Sequence, residues 1–275
     1  MAIALAGAGY AILSLVGRRR QQVRKAAEIL DVPCEILVAK EFEEYVPAEL
    51  VVVAVPDDRI FQVTEDLSQV RLPARRSPTV LHTSGALSSS VFNKLAKQGW
   101  RTGSIHPLVS VSDPRIGAAA FRESFWCVEG DKVAVRVARR VVRDLSGKAF
   151  SIKSSDKPLY HAAAVMSSGS VTALFDVALE MLQKCGLSKR EAQVALTPLV
   201  KSTIDNLSRF GPEQALTGPI SRGDRATLKL HLSKLAQTDL HEASELYRLL
   251  GKHSLKLARK RISSEVAEEI ERLLR

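Results

Sequence analysis

Apolar residues follow two different rhythms along this chain, and the change between them divides it near Ser154. Before that point, short apolar runs rich in β-type residues alternate with stretches whose apolar positions recur at helical spacing. The runs predict strands at residues 11–17, 35–39, 50–55, 79–82, 101–105, 125–128 and 149–153, and the periodic stretches predict helices at 20–30, 58–70, 87–98 and 131–145. Most connections are short. Residues 50–55 are apolar throughout, as a strand covered on both faces should be. The alternation predicts an α/β domain built on a doubly wound parallel sheet. Beyond residue 154 no strand-like run recurs, and helices are expected at 158–185, 188–210, 224–237, 239–261 and 264–274. Pro158 suits a first-turn position and Gly186 a C-terminal cap. The expected domains are therefore 1–154, α/β, and 155–275, all-α.

Composition narrows this only modestly. The chain has 275 residues, 45% hydrophobic and 25% charged, enough to bury a core in each of two domains. Its three cysteines, Cys34, Cys127 and Cys185, are far apart and odd in number, which argues against a disulfide framework and against a metal site. They point to a reducing cytoplasm and are read as buried small apolar groups. The net charge of +10 raises the question of nucleic acid. However, the basic clusters at 18–25, 136–143 and 252–261 fall on separate helix faces and one strand end, with no interleaved aromatics for stacking on bases. Solvated surface accounts for them, except that the first cluster suits a phosphate. The apolar run at 2–16 is short of the ~20 residues that span a bilayer. Its charges follow the run instead of preceding it, unlike a signal peptide. Neither nucleic acid nor membrane is expected as a partner.

Chemistry concentrates where strands should end. AVPDD at 54–58, LHTSG at 81–85 and SIHPL at 104–108 each close an apolar run, and the carboxyl edge of a parallel sheet is where ligands bind. Pro56 breaks the ladder, and Asp57 or Asp58 can cap the following helix. Thr83, Ser84 and Gly85 offer two hydroxyls and open backbone to a ribose, amide or phosphate. His106, before Pro107, can donate to a carbonyl, act as acid or base, or simply pack. A hydrolase built on Ser84 and His106 lacks both a nucleophile-elbow pattern and a third member. Further on, Lys157 and His161 share one face of a helix start, as a proton donor would require, or as an exposed lysine and a packed histidine would. ALTGPISRGD at 215–224 places Thr217 and Gly218 in a loop and delivers Arg222 and Asp224 before a helix, where Asp224 also suits an N-cap.

Taken in order, AVPDD, LHTSGAL, SIHPL, LYHAAAV and ALTGPISRGD resemble a bacterial family in which a Rossmann-like NAD(P)-binding domain joins a helical domain of unknown function, numbered 2520. The resemblance covers essentially the whole chain. The family is similar to pyrroline-5-carboxylate reductase, the 6-phosphogluconate and 3-hydroxyacid dehydrogenases and the F420-dependent NADP reductases. That likeness implies a second domain of the 6-phosphogluconate dehydrogenase C-terminal type, a homodimer formed through it, and an NADP-dependent oxidoreductase with a small-molecule substrate in a cleft between the domains. It further implies that Val55, Pro56, Asp57, Thr83, Ser84, Gly85, His106 and Pro107 contact the cofactor. Lys157, His161 and Asp224 would be catalytic, Thr217, Gly218 and Arg222 would bind substrate, and no metal is called for. Lys157 falls near the catalytic lysine of the hydroxyacid dehydrogenases, but the asparagine they carry four residues later is His161 here. The family often has an asparagine where this chain has Gly169. A binding or scaffold protein that keeps the fold without turnover is the alternative.

The N-terminus departs most. Gly7-Ala8-Gly9-Tyr10-Ala11-Ile12 meets two positions of G-x-G-x-x-G and places Ile12 at the third. In the family resembled, a run like AGYAILSLVGRRR is the end of the first helix and the second strand. Arg18, Arg19 and Arg20 would then meet the 2′-phosphate of NADP, giving preference over NAD. The first strand and glycine loop, about ten to fifteen residues, are accordingly expected upstream of Met1, in a domain truncated at its N-terminus. Alternatively, residues 2–6 supply a replacement strand and 7–9 the turn. Pairing of 11–16 with 50–55, or a strand at 2–6 between them, would distinguish the two.

Overall fold

A computed structural model of the chain describes residues 1–38, 41, 48–72, 76–113 and 118–275. Ala39, the expected end of the second strand, lies outside the described residues. The chain forms two compact units, Met1–Ser168 and Gly169–Arg275.

The first unit runs α1 (Ala2–Gly7), β1 (Ser14–Gly17), α2 (Arg20–Leu30), β2 (Glu35–Val38), β3 (Leu50–Val53), α3 (Asp57–Leu67) and β4 (Thr79–His82). After a 3-10 turn at Ser89–Phe92 come α4 (Asn93–Lys97), β5 (Arg101–Pro107), β6 (Phe125–Gly130), α5 (Lys132–Asp144), β7 (Lys148–Phe150) and α6 (Lys157–Ser167). Strands β3 to β7 form one sheet in that order. The β3–β4, β4–β5 and β6–β7 pairs are parallel, as the periodicity predicts. β6 runs antiparallel to β5, which sets Ser104 opposite Glu129 and His106 opposite Cys127.

Separately, β1 and β2 make a parallel pair with Ser14 opposite Glu35. Neither arrangement anticipated for the N-terminus occurs among the described residues. β1 is not paired with β3, and residues 2–6 are helical. Leu5 explains the helix, because it buries into the cluster of Leu81, Ile105, Trp126 and Val128. Gly9 then takes φ 87°, a left-handed conformation open to glycine, just past the end of α1. Gly7–Gly9 therefore closes a helix and cannot serve as a turn out of a strand. Among the described residues β3 lies at the edge of its sheet, and Leu50, Val51 and Val52 remain half-buried while every residue of β4 is buried.

Both faces of the five-stranded sheet are covered. α5 buries Ala134, Ala138, Val141 and Val142 on one face. Asp131 caps it, accepting from Val133 N at 2.8 Å and Ala134 N at 2.9 Å with one oxygen and from Thr102 N of β5 at 2.7 Å with the other. On the opposite face Ile60, Leu67, Phe92, Leu95 and Trp100 pack with Val53 and Val80, each large side chain contributing about 1.5–3 kcal/mol.

The second unit is helical: α7 (Gly169–Lys184), α8 (Lys189–Ala215), α9 (Pro219–Arg222), α10 (Arg225–Ala236), α11 (His241–Ala258) and α12 (Ser264–Leu273). Its core gathers Leu228, Leu255, Ala258, Ile270 and Leu274. A reciprocal Ser188–Glu191 capping box starts α8. The helical path breaks at Gly211 (φ 73°), next to the expected end at Phe210. The single helix expected at 158–185 is divided at Ser168 (φ −129°, ψ −75°) into α6 and α7. Taken together, Ser154–Lys184 is long and apolar enough to cross a membrane by length and composition alone. Of the cysteines only Cys127 is buried; Cys34 is half-buried and Cys185 exposed, which corrects the reading of all three as core.

Candidate active site

At the end of β3 the chain turns through Pro56, the N-cap of α3, and no side chain caps that helix. Asp57 does something else: its carboxylate accepts from Ser84 Oγ at 2.7 Å, tying the ends of β3 and β4 together. Ser84 Oγ in turn accepts from Ala86 N at 3.2 Å and Leu87 N at 2.9 Å. Its hydroxyl is therefore committed to shaping its own turn, with no free proton for a ribose and no role as a nucleophile. Thr83 is held by its backbone N–H to Val53 O at 3.1 Å, with its side chain half-buried. Val55 is half-buried and Pro56 exposed beside it.

Beneath these turns lies a buried ionic network. Lys157, 0% exposed, donates to Ser84 O at 3.0 Å and Ser104 Oγ at 2.7 Å, and Glu129 Oε1 lies 4.0 Å away. Glu129 accepts from Ser89 N at 2.6 Å, Ser89 Oγ at 2.9 Å, Ser104 Oγ at 3.0 Å and Ser154 Oγ at 2.9 Å. Burial works to raise the Glu129 pKa, but the hydrogen bonds from Ser154, Ser89 and Ser104 outweigh it and hold the carboxyl below its ordinary value. Burial pulls the Lys157 pKa down, against the opposing pull of Glu129. With two of its three donors bonded, Glu129 4.0 Å away and no exposure, Lys157 has no face toward a ligand. The network joins β4, β5, β6, the Ser89 turn and the start of α6, which fixes what α6 presents one turn later.

What α6 presents is Tyr160 and His161. Tyr160 Oη lies 2.7 Å from His106 Nδ1, and the His106 and His161 rings stand nearly perpendicular with centroids 5.4 Å apart. Gly85 separates the imidazoles: a Cβ there would collide with both His161 Nδ1 and His106 Nε2. His161 Nδ1 is buried with no hydrogen-bond partner among the described residues. Burial, then the neighbouring His161 and Lys157, push the His106 pKa down to about 4, so its ring is neutral at pH 7. Behind it His82 is fully buried against Phe92, and burial followed by Lys157 lowers its pKa to about 4, against the smaller opposing pull of the Ser88 backbone. His106 lies within β5, and Pro107 is its last residue.

The other sequence candidates belong to other elements. Arg18, Arg19 and Arg20 are exposed where β1 passes into α2. Arg20 is engaged, donating to Ile36 O at 3.0 Å and paired with Glu41, while among the described residues Arg18 and Arg19 have no ion pair. In the second unit Asp224 caps α10, its two oxygens accepting from Thr227 N at 3.0 Å and Thr227 Oγ1 at 2.7 Å, which holds its carboxyl below the usual range. Thr217 lines a largely apolar cavity of about 200 Å³ with Leu174, Met181, Ile220, Tyr247 and Leu250. Gly218 takes φ 96° before α9, and Arg222 is exposed at its end. Sequence reasoning missed Tyr160, Ser104, His82 and Glu129. Glu129 had one signal, a lone acid inside the apolar run of β6.

Residues 1–107 match a Rossmann-like domain, and residues 124–254 match a domain of unknown function, DUF2520. No curated protein matches the chain. Among solved structures, protein TM1727 from Thermotoga maritima is 27% identical over 89% of this chain and 90% of that one, with a TM-score of 0.70. BF3122 from Bacteroides fragilis, which carries the provisional name NADP oxidoreductase, is 22% identical over 94% and 92%, with a TM-score of 0.73. A pyrroline carboxylate reductase from Plasmodium falciparum, solved with NADP bound, is 12% identical over 100% and 93%, with a TM-score of 0.57. The last two establish a shared fold.

Proposed function

We propose that this chain, whose residues 1–107 match a Rossmann-like domain and 124–254 the domain of unknown function 2520, is an NADP-dependent oxidoreductase acting on a small molecule. One observation carries this reading. Two imidazoles face each other across Gly85 at the carboxyl ends of parallel strands, one of them with a buried nitrogen that no group among the described residues satisfies.

The fit to a dinucleotide rests on two places: the strand-end turns with half-buried Val55 and Thr83, and Arg18 and Arg19, which have no ion pair among the described residues and can meet a 2′-phosphate. The pyrophosphate has no counterpart in Gly7–Gly9, which closes a helix. When bound, the cofactor supplies or accepts the hydride. Val55, Pro56, Thr83 and Pro107 border its nicotinamide end, His161 is the acid–base residue, and His106 positions it. Lys157, Ser84 and Asp57 act one step back: they hold the turns in which Gly85 and His161 sit. Asp224 keeps its helix start and is not the acid.

The exposed apolar side chains of α7 and α8, among them Leu174, Val194, Leu199 and Phe210, are assigned to a homodimer. Sedimentation should give twice the chain mass, and Leu199→Asp should shift it toward the single chain. Cofactor use is tested by titrating NADPH and NADH emission against the protein. NADPH should bind at least about tenfold more tightly, ~1.4 kcal/mol. Binding of neither overturns the reading and returns the scaffold alternative.

A further inference from the structure

We infer that Tyr160 is a positioning residue: by donating its hydroxyl proton to His106 Nδ1 it fixes His161 as a hydrogen-bond donor, aimed at the acceptor atom of a carbonyl or imine substrate. The inference rests on the oxidoreductase reading for its substrate class, whereas the Tyr160–His106 hydrogen bond and the neutrality of both groups do not depend on it.

Tyr160 Oη and His106 Nδ1 are 2.7 Å apart, so one of them donates. Burial raises the Tyr160 pKa further above its ordinary 10, which keeps the phenol protonated. Among the described residues its hydroxyl proton has no acceptor other than His106 Nδ1, so that accepting from Nδ1 would leave the O–H unpaired, and Tyr160 is the donor. His106 is neutral, with burial the main cause. A neutral imidazole that accepts at Nδ1 carries its hydrogen on Nε2. That hydrogen lies on the side where Gly85 separates His106 Nε2 from His161 Nδ1. A second hydrogen on His161 Nδ1 would place two N–H donors around one glycine, the inner one buried without an acceptor. An unpaired Nδ1 costs a similar amount as donor or as acceptor, so the choice falls to the facing His106 Nε2–H, whose partial positive charge favours a lone pair over a second N–H. His161 Nδ1 therefore keeps its lone pair, and the hydrogen sits on Nε2, the outer nitrogen.

The polarity runs one way: Tyr160 to His106, His106 toward His161, His161 to a ligand. An outer N–H suits a substrate whose reacting atom is an acceptor, the oxygen of a carbonyl or the nitrogen of an imine. Gly85 sets the spacing, and Phe150, packed edge-on to Tyr160 with centroids 5.9 Å apart, holds the phenol in place.

The test is long-range proton–nitrogen NMR on protein labelled with ¹⁵N-histidine at pH 7.5, for the wild type and Tyr160→Phe. The wild type should show His106 and His161 both protonated at Nε2 and bare at Nδ1. Tyr160→Phe keeps the ring and its packing, and should convert His106 to a mixture of tautomers and His161 with it. Wild-type His161 protonated at Nδ1 overturns the inference, as does a variant whose two histidines match the wild type. NADPH titration of the same samples is a separate readout. Its failure removes the oxidoreductase reading and the substrate class while leaving the tautomer result to stand or fall by itself.

Discussion

The strand ends of the five-stranded sheet and the β1–β2 pair meet solvent in opposite ways. In the first, Lys157 and Glu129 are buried and bound by surrounding serines, and His82 and His106 are held neutral. In the second, three consecutive arginines stand in water and only Arg20 is engaged among the described residues. The difference separates two kinds of site. Chemistry needs groups whose orientation is fixed before a ligand arrives, whereas attraction of a phosphate needs only charge within reach.

Breaking the buried network should have the largest effect. Lys157→Met leaves Glu129 as an uncompensated buried charge and should cost about 3–5 kcal/mol in denaturant unfolding; a cost below about 1 kcal/mol would erase the contrast between the regions. Acid should act next. His82 titrates at about 4 when folded against an ordinary 6.5. Between those values the unfolded chain takes up a proton that the folded chain does not. Stability is therefore full above about pH 6.5 and falls until about pH 4, by on the order of 3 kcal/mol from His82, with His106 adding in the same direction. His82→Leu should flatten that limb in unfolding curves measured from pH 7.5 to 4.

Smaller effects follow. Gly85→Ala drives a methyl group into both imidazoles and should cost about 1–3 kcal/mol, with displaced His106 and His161 resonances. Replacing Arg18 and Arg19 together by alanine should leave stability within ~0.5 kcal/mol and lower the preference for NADPH over NADH about tenfold. Arg20→Ala should also loosen β2, because Arg20 reaches Ile36 O.

Much of the fold was legible because periodicity reports burial. α2 begins and ends at Arg20 and Leu30 as expected, and β4 fills residues 79–82. The antiparallel turn of β6 was not legible, since an apolar run carries no direction. Nor was the edge position of β3, because its apolar run does not say which neighbours it has. At the site, the motifs mark the turns at the strand ends but not how their side chains are bonded. Lys157 and Ser84 read as ligand-facing from their spacing, and only burial and hydrogen bonding reveal them as internal supports. Tyr160 carried no signal of its own, because its partner His106 is distant in sequence and meets it only when α6 is pinned to the sheet.

The central claim is that the imidazole pair at the strand ends faces the bound dinucleotide. Following the histidine ring resonances as NADPH is added tests it most directly. Saturable shifts of His106 and His161, with His231, His241 and His253 unmoved, are the predicted result; no shift in that pair, or shifts confined to the helical unit, would contradict it.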